Sequence, residues 1–159
     1  MKCSKKAYIG IKYHEDYSNK IIIDKISSVL EKKGYETICI VRDINMEKTN
    51  KYDPYQLMKL TFEKIDICDL VIIDLTEKGV GLGIEAGYAY AKEIPVITIA
   101  KSNSDISETL KGISKEIFFY NNVDDLEILF NKKYRKGKRP AEGIRDNIIS
   151  EYTTEPKDE

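Results

Sequence analysis

The stretch Gly79-Val80-Gly81-Leu82-Gly83-Ile84-Glu85 sets three glycines at alternate positions, two residues ahead of a glutamate. Glycines so spaced let backbone approach a ligand closely and turn N–H groups toward it near a helix start, which suits a sugar or an anion. Glu85 then has two readings. It is either a carboxylate that does chemistry or one that pairs with the dipole of the helix it opens, a contact worth ~0.3–1 kcal/mol at an exposed site. The spacing is not that of the dinucleotide GxGxxG turn, and the segment follows a third strand instead of a first.

The elements that position these residues alternate short β-branched runs with amphipathic stretches, the pattern of an α/β domain with a parallel sheet. Strands are expected over residues 7–11, 35–41, 70–73, 95–100 and 117–120. Helices are expected from about Ser18 to a stop at Gly34, from the Asp53-Pro54 cap to about Cys68, over 84–93, over 106–110 and over 123–131. A polar loop fills 42–51. Five such strands make a doubly wound, flavodoxin-like sheet in the order 2-1-3-4-5, with helices on both faces. Ligands of such folds bind beyond the C-terminal ends of the strands, which gathers residues 11–14, 74–83 and 100–107 at one edge. A phosphoacceptor receiver domain shares this architecture, with an Asp like Asp74 and a Lys like Lys101. It also needs an acidic pair after the first strand, where Lys12 and Tyr13 stand.

Composition narrows the partners. The chain has 159 residues, enough for one ordinary domain, with 42% apolar and 33% charged residues. Its formal charge of −1, from 26 basic and 27 acidic residues, lacks the basic excess of a nucleic-acid binder or a polybasic membrane-surface protein. No apolar run nears the ~20 residues of a membrane span, and the basic N-terminus leads straight into a strand without a signal-peptide pattern. Cys3, Cys39 and Cys68 form no CxxC pair and His14 is the only histidine. Reduced thiols in a cytoplasmic protein without a zinc site are therefore expected. The domain is expected over 1–131. A charged tail follows over 132–159, with a basic cluster (Lys132, Lys133, Arg135, Lys136, Lys138, Arg139) read as a solvated connector or a phosphate or partner contact, and room for a short helix over 146–152. No internal repeat or low-complexity segment is present.

Asp69-Leu70-Val71-Ile72-Ile73-Asp74-Leu75-Thr76, followed by Gly81-Leu82-Gly83-Ile84-Glu85-Ala86-Gly87-Tyr88-Ala89, resembles the nucleoside 2-deoxyribosyltransferase superfamily, which includes the deoxynucleoside 5′-monophosphate N-glycosidases. The similarity spans roughly residues 7–125. It implies that Glu85 attacks C1′ of a deoxyribose to give a glycosyl-enzyme that water or a second base resolves, the covalent logic of retaining glycosidases. Tyr8, followed by Ile9-Gly10, looks like the tyrosine that holds the nucleophile; on its own it reads as a half-buried strand tyrosine. Ser107 stands where a serine of the neighbouring subunit binds the 5′-phosphate in the monophosphate hydrolases, and Lys12 or His14 could supply charge. Asp74 and the backbone of Gly79, Gly81 and Gly83 are expected to line the substrate site. The resemblance further implies a homo-oligomer, a small nucleoside or nucleotide as ligand, and no metal or organic cofactor.

One position departs from the pattern. Eight residues before Asp69 the family carries an aspartate that protonates the leaving base, and Thr61 stands there. A threonine is no general acid near neutral pH, and losing such a group typically costs 10²–10⁴-fold in rate. Asp43, Glu63, Asp66 and Glu77 are the possible substitutes, with Glu63 and Asp66 also reading as helix-surface charges. Gly79 replaces the phosphate-binding serine of the glycosidases, and its amide could still hold an anion. Two function classes therefore stand: an N-glycosidase or deoxyribosyltransferase-like enzyme, and a protein that binds a nucleotide-like molecule on the same pocket without turnover. A plain interaction domain has no positive signal.

Overall fold

In a computed structural model the chain builds a parallel sheet of five strands, β1 (Lys5–Gly10), β2 (Tyr35–Ile38), β3 (Leu70–Asp74), β4 (Val96–Lys101) and β5 (Glu116–Tyr120), in the order β2-β1-β3-β4-β5. Six helices connect or follow them: α1 (Lys20–Glu31), α2 (Ile40–Asp43), α3 (Pro54–Asp66), α4 (Val80–Ala91), α5 (Glu108–Ile113) and α6 (Asp125–Lys133). The doubly wound, flavodoxin-like arrangement is therefore the one expected. The structure describes residues 4–44 and 52–133. Cys3, most of the loop expected over 42–51, the tail beyond Lys133 and its helix over 146–152 lie outside the described residues, while Lys132 and Lys133 close α6.

The period-2 alternation of strands divides the apolar residues between two layers. Ala7, Ile9 and Ile11 join Ile23, Ile26, Leu30, Leu126 and Phe130 on the α1 and α6 side. Tyr8 instead falls with Val71, Ile73, Ile65, Leu82, Ala86 and Leu110 on the side of α3, α4 and α5. Every residue of β3 is buried, as befits a central strand covered on both faces. Register pairs Gly10 with Ile73 and Tyr8 with Val71, so the end of β1 meets the end of β3 beneath α4.

Several boundaries differ from the sequence reading. The second strand stops at Ile38, because Cys39 N–H donates to the Asp43 carboxylate at 2.9 Å and Arg42 folds back to donate to Thr37 O at 2.8 Å. These bonds wind Ile40–Asp43 into a helical turn where strand and loop were expected. Helix α3 begins as foreseen, with a reciprocal capping box between Asp53 and Gln56, but ends two residues early at Asp66. Helix α5 begins after Ser107 and α6 at Asp125, each two residues later than expected. Helix α4 begins at Val80, four residues earlier than expected. Glycine is a poor helix former by ~1 kcal/mol, yet packing of Leu82, Ala86 and Ala89 against the sheet outweighs it.

Candidate active site

The early start of α4 moves Glu85 from the first helical turn into the second, where its side chain reaches back over the end of β1. There it meets Tyr8 and Gly10, two positions apart and hence on one face of the strand. Gly10 is small for a reason. A Cβ at that position would lie 2.5 Å from Glu85 Oε2 and 2.7 Å from Ile73 Cδ1, so the missing side chain is the space the carboxylate occupies.

Glu85 Oε2 is buried and has no hydrogen-bond partner among the described residues. Burial pushes the Glu85 carboxyl up to about 7, against a smaller downward pull from its hydrogen bond with the Tyr8 hydroxyl. Tyr8 is itself driven well above the usual phenol range, first by burial and then by the negative charge of Glu85. A tyrosine held protonated beside a carboxylate can donate to it and fix its orientation without competing for its charge.

The carboxylate opens on a cavity of about 250 Å³. Its floor is β1 and the start of α4, with Tyr8, Gly10, Lys12, Gly79, Gly81 and Leu82. Tyr13, Ile40 and Val41 of α2, and Leu57, Met58 and Thr61 of α3 complete its lining. Thr61 is buried and its hydroxyl donates to Leu57 O at 2.9 Å, a bond back to its own helix. Gly79 caps α4 with extended backbone and no side-chain acceptor, which leaves first-turn N–H groups for a ligand. Gly83 is not among these donors, because its N–H bonds to Gly79 O at 3.4 Å. At the end of β1, Lys12 pairs with Glu77 at 3.2 Å and His14 Nε2 with the same carboxylate at 2.9 Å.

Other residues expected at the site lie elsewhere. Asp74 is buried, but Thr76 N–H donates to one of its oxygens at 2.8 Å and the Tyr120 hydroxyl to the other at 2.9 Å, and it does not line the cavity. Ser107 and Gly83 face a second groove with Leu75, Val80, Leu110 and Ile113, across the Gly79 turn from the cavity. Within one chain, therefore, Ser107 and Glu85 are not brought together. Of the substitutes for the missing acid, Asp66 accepts from Tyr88 and pairs with Lys92 at 3.1 Å, Asp43 is tied to Cys39 and Arg42, and Glu63 is exposed. Among the described residues no group of three His, Cys, Asp or Glu side chains is arranged to hold a metal ion, and no helix is long and apolar enough to cross a membrane.

Sequence reasoning missed three parts of the site. Gly10 carried a signal, since an isolated glycine inside a strand marks close backbone approach. The α2 wall was hidden by the expectation of a longer strand, and of the α3 wall only Thr61 was singled out, while Leu57 and Met58 were not. As assembled, the cavity joins one carboxylate with an unused oxygen, a phenol that steadies it, free helix-start amides and an apolar wall. That set can attack or stabilise an electron-poor carbon of a small polar molecule.

No protein-family model matches the sequence, and no curated protein matches it. Solved structures do match in three dimensions. The CMP N-glycosidase BcmB of Clostridium botulinum aligns with a TM-score of 0.56 at 22% identity, over 80% of this chain and 99% of its own. A conserved protein of Enterococcus faecalis gives 0.65 at 15% identity, over 82% and 99%. A 2-deoxyribosyltransferase of Bacillus psychrosaccharolyticus gives 0.57 at 16% identity, over 77% and 90%. At these identities the likeness establishes a shared fold and nothing finer.

Proposed function

We propose that this protein is an N-glycosidase or deoxyribosyltransferase-type enzyme for a small nucleoside or nucleotide, with Glu85 as its nucleophile. The observation that carries the reading is the unpartnered, buried Oε2 of Glu85, seated against Gly10 on a side chain that lines a cavity of about 250 Å³. A buried polar atom without a partner costs ~1–3 kcal/mol, and a ligand atom is the natural completion. The N-glycosidase and deoxyribosyltransferase that share the fold support the choice of reaction.

In this scheme a Glu85 oxygen attacks C1′, the bond from C1′ to the base breaks, and a glycosyl ester forms through an oxocarbenium-like transition state. Tyr8 holds the carboxylate at the angle of attack. Helix-start amides from Val80 to Leu82 bind hydroxyl or phosphate oxygens, and Lys12 and His14 exchange Glu77 for an anionic group of the ligand. Water or an incoming base then releases the sugar. Ser107 would contribute only across an interface between copies, so a homo-oligomer belongs to the proposal, and sedimentation analysis tests it.

The test is incubation with deoxynucleosides, deoxynucleotides and ribonucleotides, with free base followed by chromatography. Base release that disappears in Glu85→Ala supports the assignment. Release retained in Glu85→Ala, or none from any compound, overturns it. The tied hydroxyl of Thr61 favours a second reading, a nucleotide-binding protein without turnover. Calorimetry showing ligand binding with no base release would establish that reading instead.

A further inference from the structure

We propose that Glu77 is a specificity-determining residue, a carboxylate of the chain's own that fills the anion seat at the cavity mouth. An anionic ligand must displace it, so Glu77 sets how strongly the site favours charged over uncharged ligands. The inference rests on the cavity as the ligand site and on the exchange at Lys12 and His14 in the reading above. It does not need Glu85 to be a nucleophile.

The seat is built by the turn between β1 and α1. Lys12 Nζ lies 3.2 Å from Glu77 Oε2 and His14 Nε2 lies 2.9 Å from Oε1, so each carboxylate oxygen has its own partner. Both partners are braced. Ser18 Oγ stands 2.8 Å from His14 Nδ1, and Asn19 Nδ2 donates to Lys12 O at 2.6 Å. Asn19 is the N-cap of α1 and makes no side-chain cap bond, so its amide serves the turn instead of the helix. Tyr17 holds φ at 52°, a left-handed conformation that a bulky residue keeps only where its surroundings impose it. A turn so fixed presents two cationic side chains at a set spacing, and that spacing takes two oxygens of one carboxylate or phosphate.

Glu77 is the replaceable member. It belongs to a different loop, between β3 and α4, and its side chain is 47% exposed, with Lys12 at 48%. Ion pairs so exposed are screened and open readily. Lys12 also lines the cavity, as does Gly79 two residues after Glu77, which puts the seat at the edge of the ligand site. A ligand that brings its own anion takes over both partners and returns Glu77 to water. An uncharged ligand has no such claim, and Glu77 stays. The carboxylate thus weakens binding of anionic ligands alone, because only the fraction of molecules with an open seat can accept them.

The experiment measures binding of ribose 5-phosphate and 2-deoxyribose 5-phosphate to the full chain by calorimetry, beside the two unphosphorylated sugars. None of these has a base to release, so the result is independent of the base-release test of Glu85. Glu77→Gln, confirmed as folded by circular dichroism, is expected to tighten one sugar phosphate or both ~3–10-fold and to change the sugars less than ~2-fold. Asp105→Asn removes an equal charge from the loop after β4, where Asp105 pairs with Lys78, and is expected to change binding less than ~2-fold. In Lys12→Met the gain from Glu77→Gln is expected to fall below ~2-fold, since half of the seat is gone. His14 is the only histidine, so its imidazole resonance reports on the seat, and a sugar phosphate is expected to shift it where the sugar does not. Equal affinity of wild type and Glu77→Gln for both sugar phosphates overturns the proposal. So does an equal gain in Asp105→Asn, or binding that leaves the His14 resonance unmoved. Failure of Glu77→Gln to bind either sugar phosphate also overturns it, and leaves the test of Glu85 standing.

Discussion

Two carboxylates flank the end of β3, each faced by a buried tyrosine hydroxyl, and they have opposite fates. Asp74 is 3% exposed and both its oxygens are taken, one by Thr76 N–H and one by the Tyr120 hydroxyl. Thr76 Oγ1 accepts from Lys101 N–H in turn, so the cluster ties β3, β4 and β5 together. Tyr120 is pushed upward by burial and then by Asp74. Glu85 is half-buried as a residue, has a tyrosine of its own, and leaves its buried Oε2 without a partner among the described residues. Burial alone does not separate a structural carboxylate from a reactive one; the count of satisfied oxygens does.

The contrast is broken most severely at Glu85. Glu85→Gln is expected to lower base release by ~10³-fold or more while making the fold more stable at pH 8, on the order of 1–3 kcal/mol by urea unfolding. The sign follows from linkage. The folded carboxyl titrates near 7 and the unfolded one near 4.5, so the folded state holds an extra proton between those values. Wild-type stability therefore falls as pH rises from about 4.5 to about 7, and the gain of the variant closes below about 4.5. A variant less stable than wild type at pH 8 would contradict this.

Asp74→Ala is expected to do the reverse. It strands the Thr76 amide and leaves the Tyr120 hydroxyl with Thr76 Oγ1 at 3.1 Å in place of a carboxylate, costs about 1–3 kcal/mol of stability, and changes turnover far less than Glu85→Gln does. Gly10→Ala sharpens the comparison from the strand side. Its Cβ displaces the Glu85 carboxylate, and kcat is expected to drop ~10–100-fold with a smaller change in KM. Tyr8→Phe gives the mildest effect. It removes the one contact that lowers the Glu85 pKa, so the acidic limb of the pH–rate profile moves above 7, with a loss of about 10-fold at neutral pH that shrinks toward pH 9. Lys12, His14 and Glu77 near the mouth are unchanged in this variant, which makes the limb's shift attributable to Tyr8.

The sheet order was legible because β3 reads as a run buried on both faces and the crossover rule leaves few alternatives. Tyr8 and Glu85 were also foreseen as a pair. What the sequence could not display was set by distant partners. Asp74 looked like a ligand group at the sheet edge until Tyr120, 46 residues later, was seen to satisfy it. The turn at Ile40–Asp43 depends on Arg42 reaching back to Ser27 and Thr37, contacts absent from any local propensity. Local glycine content argued for a loop before Glu85, and only packing of Leu82 and Ala86 on the sheet made it helix.

The interior place of β1 also governs the timing of assembly. This strand leaves the ribosome before the other four, yet its inner neighbour, β3, follows some 63 residues later, and α4 later still. Until both have arrived, the Tyr8 side of β1 has only α2 and α3 to cover it and Glu85 has no pocket to enter. The negative charge is thus withdrawn from water only after the central pairing that can bear its desolvation has formed. A nascent chain released before α4 presents apolar sheet to solvent but no lone buried charge, so early termination gives a sticky fragment and never a half-active one.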